Sequence, residues 1–148
     1  MNIPFIPVID HVNLAFHEAG HIFLGVFGNE FLMMMGGTLF QLGFPLAALF
    51  YFLRKKQRIG SMIMLFWFGE NFLGIGTYMK DALVLELPLV GGGLHDWTYI
   101  FGELGVITKC VKIGNATIII GFVIMGYALI DIMTSKGKAL SEKSGESE

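Results

Sequence analysis

FLMMMGGTLFQLGFPLAALFYFL, residues 31–53, runs for 23 positions without a charged side chain. A soluble domain of this size seldom holds such a run, and the stretch reads as membrane-embedded. It is interrupted by Gly36-Gly37, and a glycine pair permits sharp turning. The expected arrangement is therefore a re-entrant hairpin over 31–39, then a membrane helix over about 40–53 with Pro45 near its start. Fourteen residues rise only about 21 Å, short of the roughly 30 Å hydrocarbon core. Such a helix must begin earlier, or it must sit where the bilayer is thinned or lined by protein.

The composition agrees with a membrane setting. The chain has 148 residues, 54% of them hydrophobic and 15% charged, with a mean hydropathy of +0.66. A small soluble domain lacks the interior to hide that much apolar surface. Basic residues cluster at Arg54, Lys55, Lys56 and Arg58 between two apolar runs. That placement suits a cytoplasmic loop under the positive-inside rule and argues against nucleic-acid binding. The lone Cys110 excludes an intramolecular disulfide, and MNIPFIPVI lacks the basic start of a cleavable signal peptide.

Outward from 31–53, four or five membrane helices are expected, in an all-α fold. Asp10 is placed to cap a first helix from His11 to about Gly28, after a lead-in broken by Pro4 and Pro7. Residues 59–79 form the third helix, with Glu70 and Asn71 near its middle. The stretch 80–97 is a structured loop containing Gly91-Gly92-Gly93. Residues 98–110 make a short helix that is either half-inserted or crossing, and 113–133 form the clearest span. A membrane domain over 1–134 is followed by a polar tail, TSKGKALSEKSGESE from Thr134, whose composition over 135–148 predicts disorder. The chain is expected as a multi-pass protein of a bacterial inner (plasma) membrane.

The first helix carries Asn13, His17 and His21 at four-residue spacing, one polar stripe on an apolar cylinder. Within it, His17-Glu18-Ala19-Gly20-His21 has the HExxH pattern. Imidazoles at i and i+4 lie about one turn apart on one face, so both can reach a single Zn²⁺ at roughly 2.0–2.1 Å. Glu18 can then take the proton of a zinc-bound water and deliver it to a leaving amine. Ionisable groups inside a membrane are costly unless paired or metal-bound.

A third ligand is required. Asp96, in His95-Asp96-Trp97 after the triple glycine, is the first choice, with His95 and mid-helix Glu70 as the other candidates. Asn71 and Gln41 are candidate substrate contacts or partners that orient a ligand. One tension arises. With the N-terminus inside, His17 falls in the cytoplasmic half of the first helix, whereas the third helix carries Asp96 to the outer side. Either the first helix or the 80–97 loop must then be re-entrant, or Glu70 is the ligand.

Taken together, these residues resemble the site-2 protease family of intramembrane zinc metalloproteases. His17, Glu18 and His21 match that family's motif helix. Residues 36–41, GGTLFQ, are similar to the membrane-dipping hairpin that follows it. The family's ligand aspartate stands in an Asn-Pro…Leu-Asp-Gly context; here the nearest analogue is Leu94-His95-Asp96-Trp97, with no Asn-Pro before it. The resemblance implies a minimal member without a PDZ or CBS domain. Its activity would be zinc-dependent cleavage of membrane proteins or peptides, alone, as a homo-oligomer or beside a partner subunit. Two other classes stay open. One is a small non-catalytic subunit of a membrane complex, with His11, His17, His21 or His95 binding haem or a metal. The other is a metal transporter.

Overall fold

The computed structural model describes residues 7–88 and 94–145, and these are helical, with no strand among them. Helix α1 covers Pro7–Gly25, α2 Glu30–Arg54, α3 Arg58–Asp81, α4 Asp96–Glu103 and α5 Cys110–Gly145, with one 3₁₀ turn at Ile107–Lys109 before α5. Three segments are long and apolar enough to cross a membrane: Glu30–Arg54, Arg58–Asp81 and Ile107–Ser135. The 19-residue α1 is not among them, so three of the four or five expected spans are met by length and composition.

The re-entrant hairpin is not formed. Residues 31–39 belong to α2, a single helix of 25 residues with Gly36 and Gly37 inside it. The glycines act on the neighbouring helix rather than on the backbone's own course. A Cβ on Gly36 would stand 2.5 Å from the Gly20 carbonyl oxygen, and one on Gly37 would lie 2.5 Å from His17 Cε1. Small residues thus let α1 and α2 approach closely, as in membrane helix pairs. The longer α2 also removes the length problem, since 25 residues rise about 38 Å. Asn29 starts it by accepting the Leu32 N–H at 2.9 Å, and Gly28, at φ +66, turns the chain back from α1.

This contact carries a stability prediction. Gly20→Ala would drive a methyl into the Gly36 carbonyl. Overpacking of this kind costs about 1–3 kcal/mol. Thermal unfolding in detergent should show that loss, whereas Gly43→Ala, which meets nothing within 4 Å, should unfold no earlier than wild type.

Helices α2, α3 and α5 alternate in direction. Gly76 faces Gly114 and Gly69 faces Gly121 along the α3–α5 seam. At its far end the Arg58 guanidinium pairs with Asp131, its Nε donating to Oδ2 at 2.9 Å. The end of the α5 span therefore lies beside the Arg54–Arg58 loop, and α4 does not cross. The helix expected over 98–110 is instead the eight-residue α4, a turn at Gly105 (φ +64) and the 3₁₀ turn. Helix also continues through the polar tail to Gly145, past Thr134, where composition predicts order to stop.

The first helix starts at Pro7 rather than His11, so Asp10 lies in its first turn and not at its cap. Proline is tolerated at this position because the first helical N–H groups need no intrahelical partner. With α1 bounded by Pro7 and Gly25, His17 and His21 are residues 11 and 15 of 19, past the midpoint toward the end where α3 finishes and α4 begins. Pro4, the triple glycine at 91–93 and residues 146–148 lie outside the described residues.

Candidate metal centre

His17, His21 and Asp96 converge, their ligand-capable atoms all within 4.8 Å of one another. Two local devices deliver them. His17 and His21 share one face of α1 at one-turn spacing. Asp96 is the first residue of α4, whose cap is His95: the Thr98 N–H donates to His95 Nδ1 at 3.2 Å. The Thr98 hydroxyl donates to the Ala82 carbonyl, pinning α4 to the end of α3. Asp81 steadies the same junction by accepting the Glu86 N–H at 2.9 Å and the Leu87 N–H at 3.2 Å.

The hydrogen bonds around the triad fix its polarity. His21 Nδ1–H donates to the Met33 carbonyl at 2.9 Å, and His17 Nδ1–H to Gln41 Oε1 at 3.3 Å. Both Nδ1 atoms are thereby engaged on the far side of each ring. The two Nε2 atoms face Asp96 Oδ2, at 2.8 Å from His17 and 3.3 Å from His21. With both Nδ1 atoms protonated, two neutral imidazoles would aim lone pairs at an anionic oxygen. Only an interposed positive charge, a proton or a cation, makes that juxtaposition favourable. Burial works against the charge of Asp96, but the bonds from His17 and His21 outweigh it and hold its carboxyl below the ordinary carboxylate range.

The donor set fits a zinc-like ion. Two imidazole nitrogens and one carboxylate oxygen are a known three-ligand set that leaves a fourth position open. The His21–Asp96 separation of 3.3 Å equals the ~3.3 Å edge of a tetrahedron with arms of about 2.0–2.1 Å, and the His17–Asp96 separation of 2.8 Å is shorter than that edge. Each imidazole's outer N–H is held by an acceptor, the arrangement that orients ligating histidines. His17 and Asp96 are buried, whereas the His21 side chain is 20% exposed, which leaves one side accessible. Glu18 is half-buried beside it.

The other candidate residues stand elsewhere. Glu70 accepts from Asn13 Nδ2 at 3.0 Å, and Asn13 Oδ1 accepts from Trp67 Nε1 at 2.8 Å. This buried network, one turn along α1 from His17, accounts for the start of the polar stripe. His95 directs Nε2 toward Asp81 Oδ2 at 3.5 Å, and burial pushes its imidazole below the ordinary histidine range. Asn71 is wholly buried and donates from Nδ2 to the Trp67 carbonyl at 2.9 Å; its Oδ1 has no partner among the described residues, and it does not bond the triad. Gln41 does contact the triad, through His17. Pro45, four residues on, supplies no N–H to the Gln41 carbonyl.

Two participants gave no sequence signal. The Met33 carbonyl is an ordinary backbone group, whose role depends on how α2 lies against α1. Tyr78, half-buried on α3, accepts the Asp96 N–H at 3.4 Å and packs its ring 4.0 Å from that of His95. Comparison of the chain with protein-family models, with curated proteins and with solved structures gave no match.

Proposed function

We propose that the chain is an intramembrane zinc-dependent endopeptidase acting on membrane proteins or membrane-bound peptides. The observation that carries this reading is the convergence of both HExxH histidines on Asp96 from a helix 75 residues further along the chain. His17, His21 and Asp96 would hold Zn²⁺. When bound, the ion would polarise a carbonyl oxygen and lower the pKa of water toward about 7.

The chain's own residues supply the rest. Glu18 takes a proton from the attacking water and passes it to the leaving amine nitrogen. Gln41 and the Met33 carbonyl hold the imidazoles so that both Nε2 lone pairs face inward. The three apolar helices supply surroundings of low polarity, where charge interactions are stronger. Two imidazoles meeting at one carboxylate oxygen suit a single small cation better than a haem ring held between two faces.

The test is elemental analysis of the detergent-purified protein beside His21→Ala. About one zinc per chain in wild type, lost in the variant, is expected. A wild-type protein purified with zinc present that retains no transition metal would reject the reading. A further expectation concerns Gln41. Gln41→Leu removes the acceptor that orients His17, and loss of such a partner typically weakens metal binding 10–100-fold. Competition with a chromogenic chelator would measure it.

A further inference from the structure

A hydrolase of this kind needs a donor for the oxyanion that forms when water adds to the peptide carbonyl. We infer that the Tyr78 hydroxyl is that donor, an inference that rests on the metallopeptidase reading above.

Among the described residues, Gln41 and Tyr78 touch the triad with side chains that carry polar hydrogens of their own. Gln41 meets His17 at Nδ1, the edge of the ring turned away from Asp96, so its amide lies behind the ligand set. Tyr78 is on the other side. Its ring meets His17 edge-on with centroids 6.2 Å apart and lies against His95. Its oxygen accepts the Asp96 backbone N–H at 3.4 Å, which places the hydroxyl against the residue that supplies the ligand carboxylate. That contact uses the oxygen's lone pair. The hydroxyl's own hydrogen has no acceptor among the described residues. Tyr78 is half-buried, whereas Asn71, two turns earlier on α3, is wholly enclosed. Of the two, Tyr78 is the side chain with surface left for a substrate.

The chemistry then balances. The water oxygen forms a bond to the carbonyl carbon, and the carbonyl π pair moves onto oxygen, where the Tyr78 O–H donates to it. Tyr78 keeps its proton throughout. The C–N bond breaks with its electron pair going to nitrogen, which takes the proton that Glu18 removed from water. One water is consumed, leaving a carboxylic acid and an amine.

The test uses the zinc-loaded full chain and two probes built on the same capped Phe-Ala dipeptide. One carries a phosphinate in place of the scissile amide, imitating the tetrahedral oxyanion. The other carries a thiol, which can ligate the metal through sulfur and offers no oxyanion. Calorimetry of wild type and Tyr78→Phe gives both affinities, and elemental analysis gives the zinc content. Tyr78→Phe should keep its zinc and its affinity for the thiol. It should bind the phosphinate about 100-fold more weakly, the loss typical of removing one oxyanion donor. Tyr78→His, which restores a polar hydrogen, should recover part of that loss.

Equal weakening of both probes, or loss of zinc, would overturn the assignment and make Tyr78 a positioning residue for Asp96. Unchanged binding of both probes would overturn it as well. Failure of the metallopeptidase reading is visible separately, as wild-type protein that holds no zinc before Tyr78 is altered.

Discussion

Glu18→Gln is expected to keep its zinc and lose hydrolysis, with turnover of a membrane-peptide substrate falling by about 10²–10⁴, the usual worth of a positioned general base. Glu18 follows the first histidine on α1 and so projects beside the ligand pair rather than into it. The amide of glutamine keeps the shape and the hydrogen-bonding reach of the carboxylate but cannot accept a proton at neutral pH. Metal content should therefore match wild type, because none of the three converging residues is altered. Elemental analysis and cleavage assays on the same preparation check both halves. Zinc retained with undiminished turnover would remove Glu18 from the chemistry. Zinc lost would make it a structural partner of the site.

The two halves of the candidate site are not equally legible in the sequence. The i, i+4 spacing of His17 and His21 fixes their common face whatever surrounds the helix, so local sequence suffices. Asp96 stands out only by its place after a glycine-rich stretch, and the structure brings it to the histidines by capping and pinning α4 against α3. Gly36-Gly37 shows the opposite case. A glycine pair has the same local signature whether it turns the chain or admits a neighbouring helix. Here the partner is Gly20 and the His17 ring, sixteen and twenty positions back, so the deciding contact is non-local. The start of α1 differs from expectation for a related reason: proline signals a helix break, yet it also fits a first turn. With its bounds at Pro7 and Gly25 rather than His11 and about Gly28, the helix midpoint moves back far enough that His17 falls past it, as His21 already did. Tyr78 and the Met33 carbonyl carry no pattern of their own. Their importance arises only when α4 and α1 are brought against them.

Asp96→Asn separates the metal reading from a purely ionic one. The triad needs positive charge between the two Nε2 atoms and Asp96 Oδ2, and either protons or a metal ion can supply it. If protons alone held the cluster, asparagine would remove the anionic partner of two imidazoles and zinc would have no effect on either protein. If the triad is a metal site, wild type should gain stability with zinc by the logarithm of its saturation. At a free concentration 100 times the dissociation constant, that is about 2.7 kcal/mol. The introduced side-chain amide can donate its own N–H to an Nε2 lone pair, so the metal-free variant should fold. It loses the anionic oxygen that ligates, and its zinc affinity should drop by more than the ~10–100-fold typical of an outer-shell change. Thermal unfolding with and without zinc reads both effects in one experiment. A zinc-dependent shift in wild type that vanishes in Asp96→Asn, with metal-free midpoints close together, is the expected result. Equal shifts in both proteins would place the ion elsewhere, and no shift in either would leave the triad a proton-bridged tie between α1 and α4.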